Sequence, residues 1–306
     1  MLTRISDLEK MLARSNGPVR LALAVAQDSY ALDAVSKATL KGFIVPILVG
    51  DKSLIEQLAL VGGININGWE IHDEPDTLKA VEKTVRLVHD HSADVLMKGS
   101  CSTAQLLKGV LNREWGLRKG ALLSHFALFE IPAYHKLIGI TDVAINIAPT
   151  LDDKVAIINN AVEFMGYLGI ANPKVALIAA VETVNEQMPA TVDAAKLTLM
   201  NRENIIHDCL LEGPLAFDTA ISKESAEHKN LVSEVAGDSD LLVMPDIEAG
   251  NVLYKALAYF ADSKVASVIL GASAPVVLTS RSDSEEAKLN SILLASAVVG
   301  NKQETH

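Results

Sequence analysis

Cysteine is almost missing from this chain. The two present, Cys101 and Cys209, stand far apart in 306 residues with no metal-ligand spacing around them, which excludes a disulfide scaffold and a zinc site of the ribbon kind. A reducing, cytoplasmic compartment is the expectation. Basic charge is also short: 27 Lys and Arg face 38 Asp and Glu, a net charge of -11. Without a concentrated basic face, nucleic-acid binding is excluded as a function. Long apolar runs are missing as well. The longest are strand-sized, and the opening MLTRISDLEKMLARS spaces Leu2, Ile5, Leu8 and Leu12 along one helix face instead of forming a signal core. We expect a soluble protein, neither exported nor membrane-bound. The eight histidines form no HExxH or similar pattern, and His89 and His91 fall on a polar helix face, so no metal is expected.

What is there is apolar and alternating. Hydrophobic residues make up 49% of the chain, enough for one large or two medium cores. Strand candidates are RLALAVA, FIVPILV, ADVLMKG, KLIGITD, KVALIAAV, DLLVMPD and ASVILGA; they are mostly apolar throughout, as strands covered on both faces are. Between them lie amphipathic helical stretches such as DTLKAVEKTVRLVHDHS and LDDKVAIINNAVEFMGYLG. This alternation predicts an α/β protein with mainly parallel sheets, in two domains. No Pro/Gly/Ser-rich linker or internal repeat marks a boundary between them.

Chemistry concentrates where strands end, because ligands of open parallel sheets collect outside the carboxyl ends of the strands. Near the C-terminus, the apolar GASAPVVL runs into Thr279-Ser280-Arg281 and then a helix, SDSEEAKLNSILLASAVV. Asp283 or Ser284 can cap that helix, and Leu289, Ile292, Leu293 and Ala297 give it a buried face. Arg281 is a cation at the positive end of a helix, a placement an anionic ligand would favour. Asp246 through Asn251 follows another strand; Gly250 permits close backbone approach and Asn251 carries both a donor and an acceptor, although Asp246 serves a plain helix cap equally well. Thr141-Asp142 ends a third strand, followed by Asn146, which either ties loops together or belongs to the site. Lys98-Gly99-Ser100 opens a helix without P-loop spacing, and Leu123-Ser124-His125 follows later. No GxGxxG follows the first strand, where Asp28-Ser29 stands, and no GxSxG elbow is present.

Taken in order, Lys98-Gly99, Leu123-Ser124, ITDVAINIAPT, GPLAFDTAIS, AGDSDLLVMPDIEAGNVLYK and GASAPVVLTSRSDS resemble the phosphate acetyltransferase and phosphate butyryltransferase family. The length and the SRSDSEEAKLNSI ending look more like the butyryl branch, since acetyl members usually continue Ser-Arg with Gly-Cys. The resemblance implies a fold like that of isocitrate and isopropylmalate dehydrogenases, with two α/β domains and a cleft between them. The first domain would comprise residues 1–122 plus 272–306, and the second 123–271. It implies reversible transfer of a short acyl group, butyryl or similar, between coenzyme A and inorganic phosphate, giving acyl phosphate. Acyl-CoA and phosphate are then substrates, no cofactor is bound, and a homo-oligomer is expected. Carried over, Ser280 would orient or stabilise the CoA sulfur and Arg281 would bind phosphate. Ser124, Thr141, Asp246, Gly250 and Asn251 would line the phosphate and acyl side.

Two departures from the family pattern matter. The carboxylate that acetyl members place on the helix after Ser-Arg falls here on Ala287; Glu286 is the adjacent candidate base, but a neighbouring position points about 100° round the helix. The arginines that acetyl members use for CoA phosphates are replaced by a region offering Lys108, Arg113, Arg118 and Lys119. Two rivals stand beside this reading: a metal-dependent dehydrogenase of the same fold, and a non-catalytic acyl-CoA or acyl-phosphate binding protein.

Overall fold

The computed structural model describes residues 2–14, 17–120, 122–280 and 283–304, the side chains of 301–304 excepted. In chain order the elements are α1 (Asp7–Leu12), β1 (Val19–Ala24), α2 (Ser29–Leu40), β2 (Ile44–Gly50), α3 (Lys52–Val61), β3 (Glu70–Asp73), α4 (Thr77–His89), β4 (Val95–Lys98) and α5 (Thr103–Val110). Then come β5 (Ser124–Glu130), β6 (Ile138–Thr141), α6 (Leu151–Tyr167), β7 (Lys174–Ile178), α7 (Pro189–Arg202), β8 (Leu210–Leu215), α8 (Phe217–Ile221), α9 (Lys223–His228), β9 (Leu241–Val243) and α10 (Ile247–Phe260). The chain closes with β10 (Lys264–Leu270), β11 (Val276–Val277) and α11 (Glu285–Glu304). The α/β alternation expected from the sequence is therefore present, and each of the seven predicted strands is a strand.

The residues group into two compact units, Ser6–Gly120 with Ala266–His306 and Met1–Ile5 with Ala121–Val265. In the first, strands run in the order β3-β2-β1-β4-β11-β10; the pairs are parallel except β10 with β11. Its core holds Leu21, Leu23, Leu48, Leu96 and Met97, all without solvent contact. In the second, the order is β5-β6-β9-β7-β8, parallel except β5 with β6. There Phe126 packs against Phe164 of α6 with ring centres 5.2 Å apart.

Helix starts follow a common rule. Strands give way to a short polar residue that turns its side chain onto the first-turn N–H groups: Asp28 for α2, Asp51 for α3, Asp76 for α4, Ser102 for α5, Thr150 for α6 and Asp246 for α10. Each supplies an acceptor to donors that no helical carbonyl can reach. α11 differs from the others in its surroundings. The sequence marks one buried face for it, yet every residue from 290 to 300 is buried, so the helix is core on all sides, while Leu289 is half-buried. Among the described residues, no helix is long and apolar enough to cross a membrane.

Candidate active site

The unit that carries Ser280 brings three strand ends together. β1, β4 and β11 are neighbours in parallel register, Leu23 opposite Met97 and Met97 opposite Val277. Their carboxyl ends therefore share one edge of the sheet. At the first of these ends Val25 has φ 53°, a left-handed backbone that β-branched residues seldom take. It is held there by the N–H of Ser100 on its carbonyl at 2.8 Å, beside the N–H of Gly99 on Ala24 at 2.8 Å. A Cβ on Gly99 would overlap both of those carbonyl oxygens, so glycine is what lets the chain after β4 lie against the end of β1.

Two lysines are buried at this edge. Lys98, 9% exposed, donates from Nζ to the carbonyls of Gly99 (3.0 Å) and Cys101 (3.2 Å). Lys288, 4% exposed, donates to the carbonyls of Asp283 (2.6 Å) and Ser280 (3.2 Å). Neither makes an ion pair among the described residues; both ammoniums rest on neutral carbonyl dipoles. Burial pushes the Lys288 pKa down and the charge of Lys98 adds to that, against the opposing pull of Asp283, Asp28 and Glu285. Burial likewise raises the thiol pKa of Cys101, with Lys98 acting in the opposite sense.

Ser280 is exposed, directly after buried Thr279. Its N–H donates to Asp283 Oδ2 at 2.7 Å and its carbonyl accepts from the Asp283 N–H at 3.2 Å. The cap of α11 belongs to Ser284, whose hydroxyl accepts from the N–H of Ala287 at 3.1 Å. The sequence left Asp283 and Ser284 as alternatives for that cap, and Asp283 instead closes the turn. Glu286 is exposed and Ala287 is buried. Arg281 lies outside the described residues. Lys108, Arg113, Arg118 and Lys119 are all exposed, and Arg118 pairs with Ala272 in an antiparallel bridge.

The other unit gathers the remaining candidates at the carboxyl ends of β6 and β9. Thr141 is opposite Phe126 in β5 and opposite Val243 in β9. This register brings Ser124, Thr141 and the start of α10 to one end of the sheet. Ser124 and Thr141 are fully buried: the Ser124 hydroxyl accepts from Asn160 Nδ2 at 3.2 Å, and the Thr141 hydroxyl donates to the His125 carbonyl at 3.1 Å. The organiser of this end is Asp142, 3% exposed. Its carboxylate accepts from the N–H groups of Ala144 (2.9 Å), Ile145 (3.1 Å) and Asn146 (3.2 Å), and from the Asn146 side chain. That side chain also donates to the Leu123 carbonyl at 2.8 Å, so Asn146 ties two loops together. Asp246 caps α10 through the N–H of Ala249 at 2.8 Å. Gly250 is buried against Asp142, whose carbonyl oxygen a Cβ would overlap, so the close approach this glycine permits is to the protein's own backbone. Asn251, exposed, donates to the Val143 carbonyl at 3.1 Å.

Reading the sequence missed the polar residues that hold these ends in shape. Lys288 stands in an acidic helix start and reads as a solvated lysine; its one signal is that the helix behind it is largely apolar. Asp142 reads as strand-end punctuation, because its partners are backbone groups that any residue supplies. Among the described residues, no group of three or more His, Cys, Asp or Glu is arranged to hold a metal ion.

The sequence profile described as Phosphate acetyl/butaryl transferase matches residues 74–296. A phosphate butyryltransferase from Clostridium acetobutylicum is 49% identical over 292 residues, 95% of this chain and 97% of its own. A phosphate acetyltransferase from Thermotoga maritima is 40% identical, covering 94% of this chain and 98% of its own. Among solved structures, a branched-chain phosphotransacylase from Enterococcus faecalis superposes with a TM-score of 0.82 at 35% identity, over 92% of this chain and 99% of its own. The chain is thus an acyltransferase and belongs to the phosphate acetyl/butyryl transferase family.

Proposed function

We propose that this enzyme moves a short acyl group, butyryl or a close relative, reversibly between coenzyme A and inorganic phosphate. A phosphate oxygen attacks the thioester carbonyl carbon, the C–S bond breaks, acyl phosphate forms, and the CoA sulfur leaves as thiolate and takes up a proton. The observation that carries the reading is the 49% identity to a phosphate butyryltransferase along almost the whole of both chains. Nothing in the comparisons favours a dehydrogenase or a non-catalytic binder.

The chemistry demands a phosphate site beside the thioester and donors for charge that develops on the carbonyl oxygen and the sulfur. In this reading Ser280, exposed on its tied turn, orients the CoA sulfur, and Arg281 holds phosphate and stabilises transition-state charge. Two buried ammoniums, neither in a direct ion pair among the described residues, favour an anion at the same sheet edge. The opposite holds at Asp142: its carboxylate already consumes the N–H groups of residues 144–146, leaving none of the three to receive phosphate. Ser124, Thr141, Asp246, Gly250 and Asn251 keep, in this reading, the substrate-binding role that the family resemblance implies. Because a thiolate is a tolerable leaving group, attack by phosphate dianion needs little help from a base, which accommodates Ala287 where acetyl members carry a carboxylate. The same reading includes a homo-oligomeric, cytoplasmic enzyme of the isocitrate and isopropylmalate dehydrogenase type of fold.

The test is to mix the protein with butyryl-CoA and phosphate and follow free thiol with a disulfide reagent, omitting phosphate in the control. Phosphate-dependent release is the expected result, and acyl-CoA binding without release would favour the non-catalytic reading. Acetyl-, propionyl-, butyryl- and isobutyryl-CoA compared in one assay rank the pocket's chain-length preference. Arg281→Ala should lower kcat/KM by about 1000-fold, the scale for removing a charged group that acts on the transition state; an unaffected rate would move the site elsewhere.

A further inference from the structure

We propose that Lys288 is a positioning residue for this reaction, fixing through two backbone carbonyls the turn that presents Ser280. The inference rests on the acyl-transfer reading above and adds to it a residue that touches no substrate.

The geometry is local. Ser284 caps α11, so Lys288 falls in the first turn and its side chain runs back toward the start of the helix. There Nζ meets the carbonyl of Asp283 at 2.6 Å and that of Ser280 at 3.2 Å. Those carbonyls bracket the sequence Ser280-Arg281-Ser282-Asp283. With the Asp283 carboxylate on the Ser280 N–H and the Asp283 N–H on the Ser280 carbonyl, both backbone polar groups of Ser280 are tied. The hydrogen bonds of Lys288 link Ser280 and Asp283 to a helix that is buried on every side from residue 290 to 300.

Lysine is a costly choice for such a place. A cation near a helix N-terminus opposes the helix dipole, and an ammonium buried without an ion pair loses hydration that two carbonyls only partly replace. The groups facing it are Asp28 and Tyr30 of the α2 start, Lys98 at the end of β4, and Asp283 and Glu285 on its own segment. The Tyr30 ring lies 5.7 Å from Nζ, and Lys98 repels it. What lysine adds is a donor long enough to reach both carbonyls at once.

The experiment measures phosphate-dependent thiol release for wild type, Lys288→Met and Lys288→Gln, with thermal melting as a folding control. Methionine keeps the length and removes the donor; glutamine keeps a donor without charge. Lys288→Met should lower kcat about 100-fold, the scale of an ångström's misplacement of a reacting group. KM for butyryl-CoA should stay within about three-fold, since uniform binding is not what is lost. Lys288→Gln should recover about ten-fold of that loss. A Lys288→Met enzyme with unchanged kcat, a loss confined to KM, or a Lys288→Gln no better than Lys288→Met would overturn the assignment. If Lys288→Met does not fold, Lys288→Gln decides: reduced kcat at unchanged KM supports the assignment, and wild-type kcat overturns it. Wild-type protein that releases no thiol from any acyl-CoA would instead overturn the acyl-transfer reading, and this inference with it.

Discussion

The two units handle buried charge in opposite ways. Around Asp142 the charge is settled inside the protein: one buried carboxylate receives three backbone N–H groups and an amide. The same unit sets Asp238 among Lys174 at 2.6 Å, His135 at 2.7 Å and Lys136 at 3.1 Å, and pairs buried Lys154 with Asp193 at 2.7 Å. Around Ser280, among the described residues, Lys98 and Lys288 make no direct ion pair and rest on neutral carbonyls. Loops built to close on themselves serve shape. A loop with two buried ammoniums behind it and no direct ion pair on either among the described residues suits an anion, as the proposed reaction requires.

The contrast predicts that damage to the self-contained unit shows first as lost stability, while damage to the other shows first as lost turnover. The largest effect belongs to Asp142→Ala. Removing a buried carboxylate strands three N–H groups, each costing about 1–3 kcal/mol when unsatisfied, so urea unfolding should register a loss of about 3 kcal/mol or more. A variant as stable as wild type would break the comparison at its strongest point. A moderate effect belongs to Asp238→Asn, and it depends on pH. Burial would raise the Asp238 pKa, but hydrogen bonds from Lys174, His135 and Lys136 outweigh it and hold the carboxyl well below the usual range. A depressed native pKa stabilises fully above the unfolded value near 3.9 and ceases to do so as pH falls through the native one. Wild type should therefore exceed Asp238→Asn in unfolding midpoint at pH 7, with the gap shrinking between about pH 4 and pH 2; a constant gap would remove the ion cluster from the account. The smallest effect is expected of Glu286→Gln. This carboxylate is exposed on α11, and a general base contributes about 100-fold or more, so turnover within a few-fold of wild type is the expected result. A loss of several orders of magnitude would make Glu286 the base and add an acidic function to the cationic side.

Much of the architecture was legible because strands covered on both faces carry an unbroken apolar signal. The three strands not anticipated lack it for identifiable reasons. β3, Glu70–Asp73, is polar and at the end of its strand order; β8 contains Gly213 and Pro214. β5, Ser124–Glu130, interrupts its apolar run with His125 and pairs antiparallel with β6. Of the candidate site, exposed Ser280 and the cap at Asp246 were readable from strand-to-helix punctuation. Lys288 was not, since burial of a lysine depends on what packs over its stem, and α2 and β4 contribute that from far away in the chain. The close approach at Gly250 was readable, but not the group approaching, which turned out to be the Asp142 backbone.

The placement of β11 between β4 and β10 has a consequence for synthesis. A chain emerging from the ribosome N-terminus first has residues 121–265 in hand while the strand that completes the other sheet, and the helix that fills its core, are still untranslated. The Ser280 turn therefore forms only after the whole of residues 121–265 has been translated, however early that unit folds.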